Sequence, residues 1–189
     1  MKKIIDDAID NHRQAIELLK TNSKKIEEIA ILFISALKNK GKIIFMGNGG
    51  SAADAQHLAA ELVGRFKKNR APLAAITLSA NTSILTAVGN DFGFQEIFAR
   101  QIDALAGTSD LIVGISTSGE SENVIRAIIK AKERGLKTIG FLGKDGGKIK
   151  NIVDVSLIIP SYDTPRIQEM HILTGHIVCE IVEEHFTKN

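Results

Sequence analysis

Apolar residues recur at helical spacing through the first forty positions and then change period. Ile5, Ile9, Ile16 and Leu19 fall on one stripe, and Ile26, Ile29, Phe33 and Leu37 on a second. Asn22 and Ser23 lie between the stripes as cap residues, so residues 2–39 predict helix and offer no strand. From residue 42 short β-branched runs alternate with amphipathic segments. The runs are 42–46, 74–78, 111–115, 138–142 and 155–159. The segments are 51–65, 80–104, 120–134, a short piece at 146–151 and a long closing helix over 165–186. Strands alternating with helices, several of them apolar throughout, predict a Rossmann-like parallel sheet with helices on both faces. Residues 1–40 are then a helical extension suited to a subunit interface, and 41–189 the α/β domain, in a single structural unit.

Composition narrows the chemistry. The 189 residues are 44% apolar, enough for a real core. Basic residues number 24 and acidic residues 22, a net charge of +2, which gives no reason to expect nucleic acid or an acidic membrane. Tryptophan is absent and tyrosine occurs once, so a stacking platform for bases is not expected. A lone cysteine, Cys179, fits a reducing compartment. The first residues carry Asp6, Asp7 and Asp10 and no secretory apolar region. No apolar run approaches the roughly 20 residues of a membrane span. The expectation is a soluble, cytoplasmic protein.

In open parallel sheets, ligands bind beyond the carboxyl ends of the strands. Three such ends here are loops rich in glycine and serine: Gly47-Asn48-Gly49-Gly50-Ser51, Ser116-Thr117-Ser118-Gly119-Glu120-Ser121 and Gly143-Lys144-Asp145-Gly146-Gly147. The second loop places four hydroxyls within six residues just ahead of a helix, whose free N–H groups and dipole favour a phosphate. It holds no lysine or arginine and is not a Walker loop, and the first loop does not spell GxGxxG. Neither a nucleoside triphosphate nor a dinucleotide is expected.

The helix after the first loop carries Asp54, His57 and Glu61. His57 and Glu61, four apart, share a face, and both are expected near the carboxyl end of the sheet. Such a pair binds zinc or moves protons, although a solvated surface pair has the same spacing. The last helix offers Gln168, Glu169, His171 and His176. At about 100° per residue Glu169 falls nearly in line with His176, and Gln168 about 80° away. The wheel leaves open which of them faces a ligand. His171 sits well round from His176, as a packed core histidine would.

Taken together, GNGGSAADAQHLAAEL, VGNDFGF, GISTSGES, RIQEMH and LTGH resemble the phosphoheptose isomerases, a branch of the sugar isomerase (SIS) domain proteins, over essentially the whole chain. The resemblance implies the SIS fold and a homotetramer with active sites between subunits. It implies that Asn48, Gly49, Gly50 and Ser51 line the sugar site, with Asn90 and Asp91 nearby, and that Ser116, Thr117, Ser118 and Ser121 hold the phosphate. It implies Glu61 and His176 as the acid–base pair. It implies one zinc ion per subunit on His57, Glu61, Gln168 and His176, choosing Gln168 over Glu169, with Gln168 also at the substrate. Pro165 departs from the Ala or Asp of many relatives, in a first helical turn where proline is tolerated.

The implied reaction converts sedoheptulose 7-phosphate to D-glycero-D-manno-heptose 7-phosphate through an enediol, for a bacterial lipopolysaccharide core or capsule. Glu61 would be the base at carbon and His176 the acid at oxygen. One rival is a non-enzymatic SIS adaptor that binds the replication initiator DnaA. It shares the serine loop but lacks the counterparts of Glu61 and His176. Another is an SIS domain for hexose phosphates, against which VGNDFGF and HLAAEL argue.

Overall fold

The change of apolar period at residue 42 marks the start of the sheet. In the computed structural model, which describes residues 1–187, β1 (Ile43–Gly47), β2 (Ala75–Thr77), β3 (Leu111–Ser116), β4 (Lys137–Gly143) and β5 (Val155–Ile159) pair in parallel. Their order is β2-β1-β3-β4-β5. Ile43 stands opposite Ala75 on one side and Leu111 on the other. Every residue of β1 and β3 is buried, as strands covered on both faces require. Side chains alternate between two cores: Ile43 and Phe45 enter one, Ile44 and Met46 the other.

Helices α1 (Lys2–Lys20), α2 (Ser23–Lys38), α3 (Gly50–Val63) and α7 (Thr164–Thr187) contribute to the first core, and α5 (Ala99–Leu105) and α6 (Glu122–Glu133) to the second. α4 (Thr82–Phe92) lies beside the second core with no residue buried. Ile29 and Phe33 of α2 are fully buried, each contributing about 1.5–3 kcal/mol relative to exposure.

The amino-terminal stretch is two helices, and its caps work backwards. Asn22 Nδ2 donates to the Leu18 carbonyl at 3.3 Å and Ser23 Oγ to that of Lys20 at 2.7 Å. These side chains satisfy the last carbonyls of α1 rather than the first amides of α2. The α1 stripe also divides. Leu19 is buried and Ile16 packs against the core, whereas Ile4, Ile5 and Ile9 are exposed. The expected single segment at 80–104 breaks at Gly93 into α4, a short 3-10 turn and α5. α1 is tied to α7 through Arg166, which donates to the Ala8 carbonyl at 2.7 Å, and through His12, 2.6 Å from Glu169.

Candidate active site

Strand order reverses between β1 and β3, and the two loops singled out in the sequence leave the carboxyl ends of these neighbours. In the serine loop, Ser116 Oγ lies 2.9 Å from Ser121 Oγ and 3.4 Å from Ser118 Oγ, with Thr117 half-buried beside them. Ser116 also accepts the Gly119 amide at 3.1 Å, and Ser118 that of Glu120 at 3.1 Å. Three hydroxyls therefore converge at the start of α6, where the helix dipole favours an anion.

Gly49 turns the first loop with φ at +56°, which a side chain would resist, and Ser51 is buried in the first turn of α3. The two loops are coupled directly. Asn48 and Asn123 exchange two amide hydrogen bonds, each 2.9 Å long. Asn48, Ser121 and Asn123 line an open cleft of about 480 Å³ with Phe94 and Arg126. The third glycine loop supports the serine loop from behind: Ile149 N–H donates to the Gly119 carbonyl at 3.1 Å, and Lys148 N–H to Glu120 at 2.9 Å.

A second group of residues lies elsewhere. α3 runs back from the carboxyl end of the sheet, so that its residue Leu62 accepts from Leu73, just ahead of β2. Glu61 is ten residues beyond Ser51, about 15 Å along the helix. The expectation that His57 and Glu61 sit near the carboxyl end of the sheet is therefore overturned, because α3 carries them away from it. There His57 Nε2 is 3.0 Å from Glu61 Oε1, and the ring of His176 stands edge-on to His57, centroids 5.0 Å apart. Close approach of α7 makes this meeting possible. A Cβ on Gly175 would fall 2.4 Å from Leu58 Cδ2 of α3, so any side chain there would force the buried Leu58 to move.

His57, Glu61 and His176 offer ligand atoms within 4.8 Å of one another. Two imidazoles and a carboxylate suit zinc. Nε2 of His176 is buried with no hydrogen-bond partner among the described residues, as a ligand atom awaiting a cation would be. Burial and the neighbouring His57 hold the His176 imidazole below its ordinary pKa, with Glu61 pulling the other way. The donor set fits the expected metal with three ligands.

Gln168 stands apart from the other three. Its amide lies against the glycine loop, where a Cβ on Gly50 would meet Nε2 at 2.3 Å. Eight residues of α7, about 12 Å, separate it from His176. The wheel ambiguity is resolved all the same, since Glu169 is taken up by His12 and Arg166. Asn90 and Asp91 are exposed at the end of α4 and bond each other at 2.7 Å, and neither lines the cleft beside Asn48.

The SIS domain family model matches residues 9–143. The chain is 58% identical over 181 residues to a phosphoheptose isomerase of a Nitratiruptor species, covering 92% of this chain and 97% of that one. The chain belongs to the phosphoheptose isomerases. Among solved structures, the phosphoheptose isomerase from Neisseria gonorrhoeae superposes with a TM-score of 0.90 at 43% identity, covering 97% of this chain and 98% of that one. The one from Francisella tularensis gives 0.91 at 36% identity, over 96% and 97%.

Within this phosphoheptose isomerase fold, three features escaped the sequence reading. Phe66 lays its ring 5.4 Å from that of His176. Asp54 Oδ2 is buried without a partner among the described residues, and burial pushes its carboxyl up to about 6 against the pull of His57. Arg70 and Glu183 form a buried pair where α3 ends. The residue types around Asp54 do not reveal that its carboxyl is buried, and the Phe66 and Arg70 contacts depend on α7 returning from a distant segment. His171 behaves as expected of a core histidine. It is buried, bonded to the Leu142 carbonyl at 3.0 Å, and lowered to about 4 by burial.

Proposed function

We propose that the chain isomerises sedoheptulose 7-phosphate to D-glycero-D-manno-heptose 7-phosphate, at sites shared between copies of itself. The observation that carries this reading is the meeting of His57, Glu61 and His176, about 15 Å down α3 from the sugar loop. A seven-carbon sugar with its phosphate on the serine loop and its reacting end at Ser51 leaves that end about 15 Å along α3 from Glu61 of the same chain. The acid–base pair must then act on a sugar presented by a neighbouring copy. The exposed isoleucines of α1 and the unburied α4, with Asn90 and Asp91 at its end, supply apolar and polar surface for that assembly. A homotetramer, with residues 1–40 at the interface, meets this need.

The serine-loop hydroxyls of Ser116, Thr117, Ser118 and Ser121, with the amides opening α6, hold the phosphate and so fix the open-chain sugar. Asn48, Gly49, Gly50 and Ser51 line its reacting end. Glu61 removes the carbon-bound proton and returns it to the adjacent carbon, while His176 serves the oxygen whose proton moves. His57, Glu61 and His176 would hold zinc, with Gln168 reaching it from the copy that presents the sugar. When bound, the ion supplies Lewis-acid polarisation of the carbonyl. No nucleotide takes part. The balanced charge and the lack of a helix long and apolar enough to cross a membrane, among the described residues, fit an enzyme of heptose biosynthesis in the cytoplasm.

The adaptor reading requires a chain without the acid–base pair, and here both residues are present and face one another. Incubation of the pure protein with sedoheptulose 7-phosphate, followed by NMR, tests the proposal. Appearance of the aldose is expected. Tight binding without conversion would overturn it.

A further inference from the structure

α3 ends in a buried knot of charge that lies behind the acid–base pair. The Arg70 guanidinium donates to the carbonyl of Glu61 at 2.8 Å, to that of Leu62 at 2.8 Å and to that of Ala71 at 3.0 Å. Its Nε reaches Glu183 Oε1 at 3.2 Å. Glu183, on α7, gathers the backbone N–H groups of Phe66, Lys67 and Lys68 at 2.9, 2.7 and 2.8 Å. The two side chains are only 3% and 2% exposed. Burial pushes the Glu183 carboxyl up, but the three amides and Arg70 outweigh it and hold it below the usual range.

These contacts end at the reacting groups. One arm grips the peptide of the residue that carries the base. The other fixes the backbone of Phe66, whose ring lies 5.4 Å from His176. Glu183 itself is two turns beyond His176 on the same helix. We propose that Arg70 and Glu183 are positioning residues for the isomerisation, setting Glu61 on α3 against His176 on α7. The inference rests on the reading of Glu61 and His176 as the acid–base pair.

A purely structural role would give the same burial, and the molecule contains its own control for that. Asp110 is also a buried carboxylate holding a cation and backbone amides. It accepts Lys42 Nζ at 2.5 Å, Lys42 N–H at 2.9 Å and Gly107 N–H at 2.7 Å. It sits at the amino end of β3 and touches neither Glu61 nor the residues around His176.

The test compares Glu183→Gln, Arg70→Lys and Asp110→Asn in the full-length protein, each assayed below its own melting temperature. Arg70→Lys keeps a cation beside Glu183 but loses the fork that spans the two helix carbonyls, and it serves if Glu183→Gln does not fold. A misplacement near 1 Å costs about 100-fold in turnover. The expected result is a fall of that order in kcat for the Glu183 and Arg70 variants, with KM for the sugar phosphate little changed because the serine loop is untouched. Asp110→Asn should lower Tm yet leave kcat at the wild-type level. Folded Arg70→Lys or Glu183→Gln protein with wild-type kcat, or a loss confined to KM, overturns the inference. Failure of the wild type to convert the ketose would instead overturn the proposed function.

Discussion

His12 Nδ1 lies 2.6 Å from Glu169 Oε2, which turns Glu169 toward α1 and leaves its neighbour Gln168 against the glycine loop. Two adjacent residues of one helix thus serve different ends. Glu169 binds the amino-terminal arm, and Gln168 packs on the turn at Gly50.

This division makes the metal set testable by ligand. His57→Ala removes one of three groups that meet within a single chain and should abolish zinc retention. Gln168→Ala should weaken retention without abolishing it. Elemental analysis after gel filtration reads both. Wild-type zinc content in His57→Ala would place the ion elsewhere.

Glu61→Gln should keep the fold and stop exchange of solvent deuterium at C1 of the ketose. Each of Glu61→Gln and His176→Ala should cost about 10²–10⁴-fold in turnover. The double variant should be little worse than the worse single one, because the two act on one substrate as a unit. Additive losses would show that they work independently.

A shared site predicts complementation. Glu61→Gln and a serine-loop variant, Ser116→Ala with Ser118→Ala, should each be inactive alone. Co-assembled, they should regain a substantial fraction of activity, because some sites combine an intact loop from one copy with an intact acid–base pair from another. Light scattering should report an oligomer, and Ile5→Asp with Ile9→Asp should dissociate it. Inactivity of the mixed oligomers would return the chemistry to a single chain.

Asp54 predicts a pH dependence of stability with a definite sign. Its folded pKa, raised by burial to about 6, lies above the unfolded value, so the folded protein takes up the extra proton. Its contribution favours folding at low pH and is lost as pH rises from about 4 through about 6. Asp54→Asn should therefore melt higher than wild type at pH 7.5 and about equally at pH 4. Water around this half-exposed group reduces the effect. Equal melting temperatures at pH 7.5 would show that the carboxylate is well solvated.

The sheet was legible because five apolar runs, each too short for a helix, lie between amphipathic segments. The serine loop was legible because its hydroxyls are close in sequence. His57 and Glu61 were legible as a pair, since one helix sets their spacing. Their place in the fold was not, because spacing along a helix does not say how far that helix has travelled from the sheet. Arg70 and Glu183 are 113 residues apart, and nothing local in either segment points to the other. Asn22 and Ser23 show a subtler limit: cap chemistry is readable, but which of two adjoining helices receives it depends on rotamers.

The paired amide hydrogen bonds between Asn48 and Asn123 tie the glycine loop to the start of α6 and so fix the spacing between the glycine and serine loops. A rigid gap between two grips is a gauge. With the phosphate and the reacting end held as proposed above, it should accept a chain of one carbon number and leave a shorter one unable to reach both ends. Ketose phosphates of five, six and seven carbons should then differ mainly in kcat, since all share the phosphate grip. Asn123→Ala should blunt that discrimination more than it slows the favoured substrate.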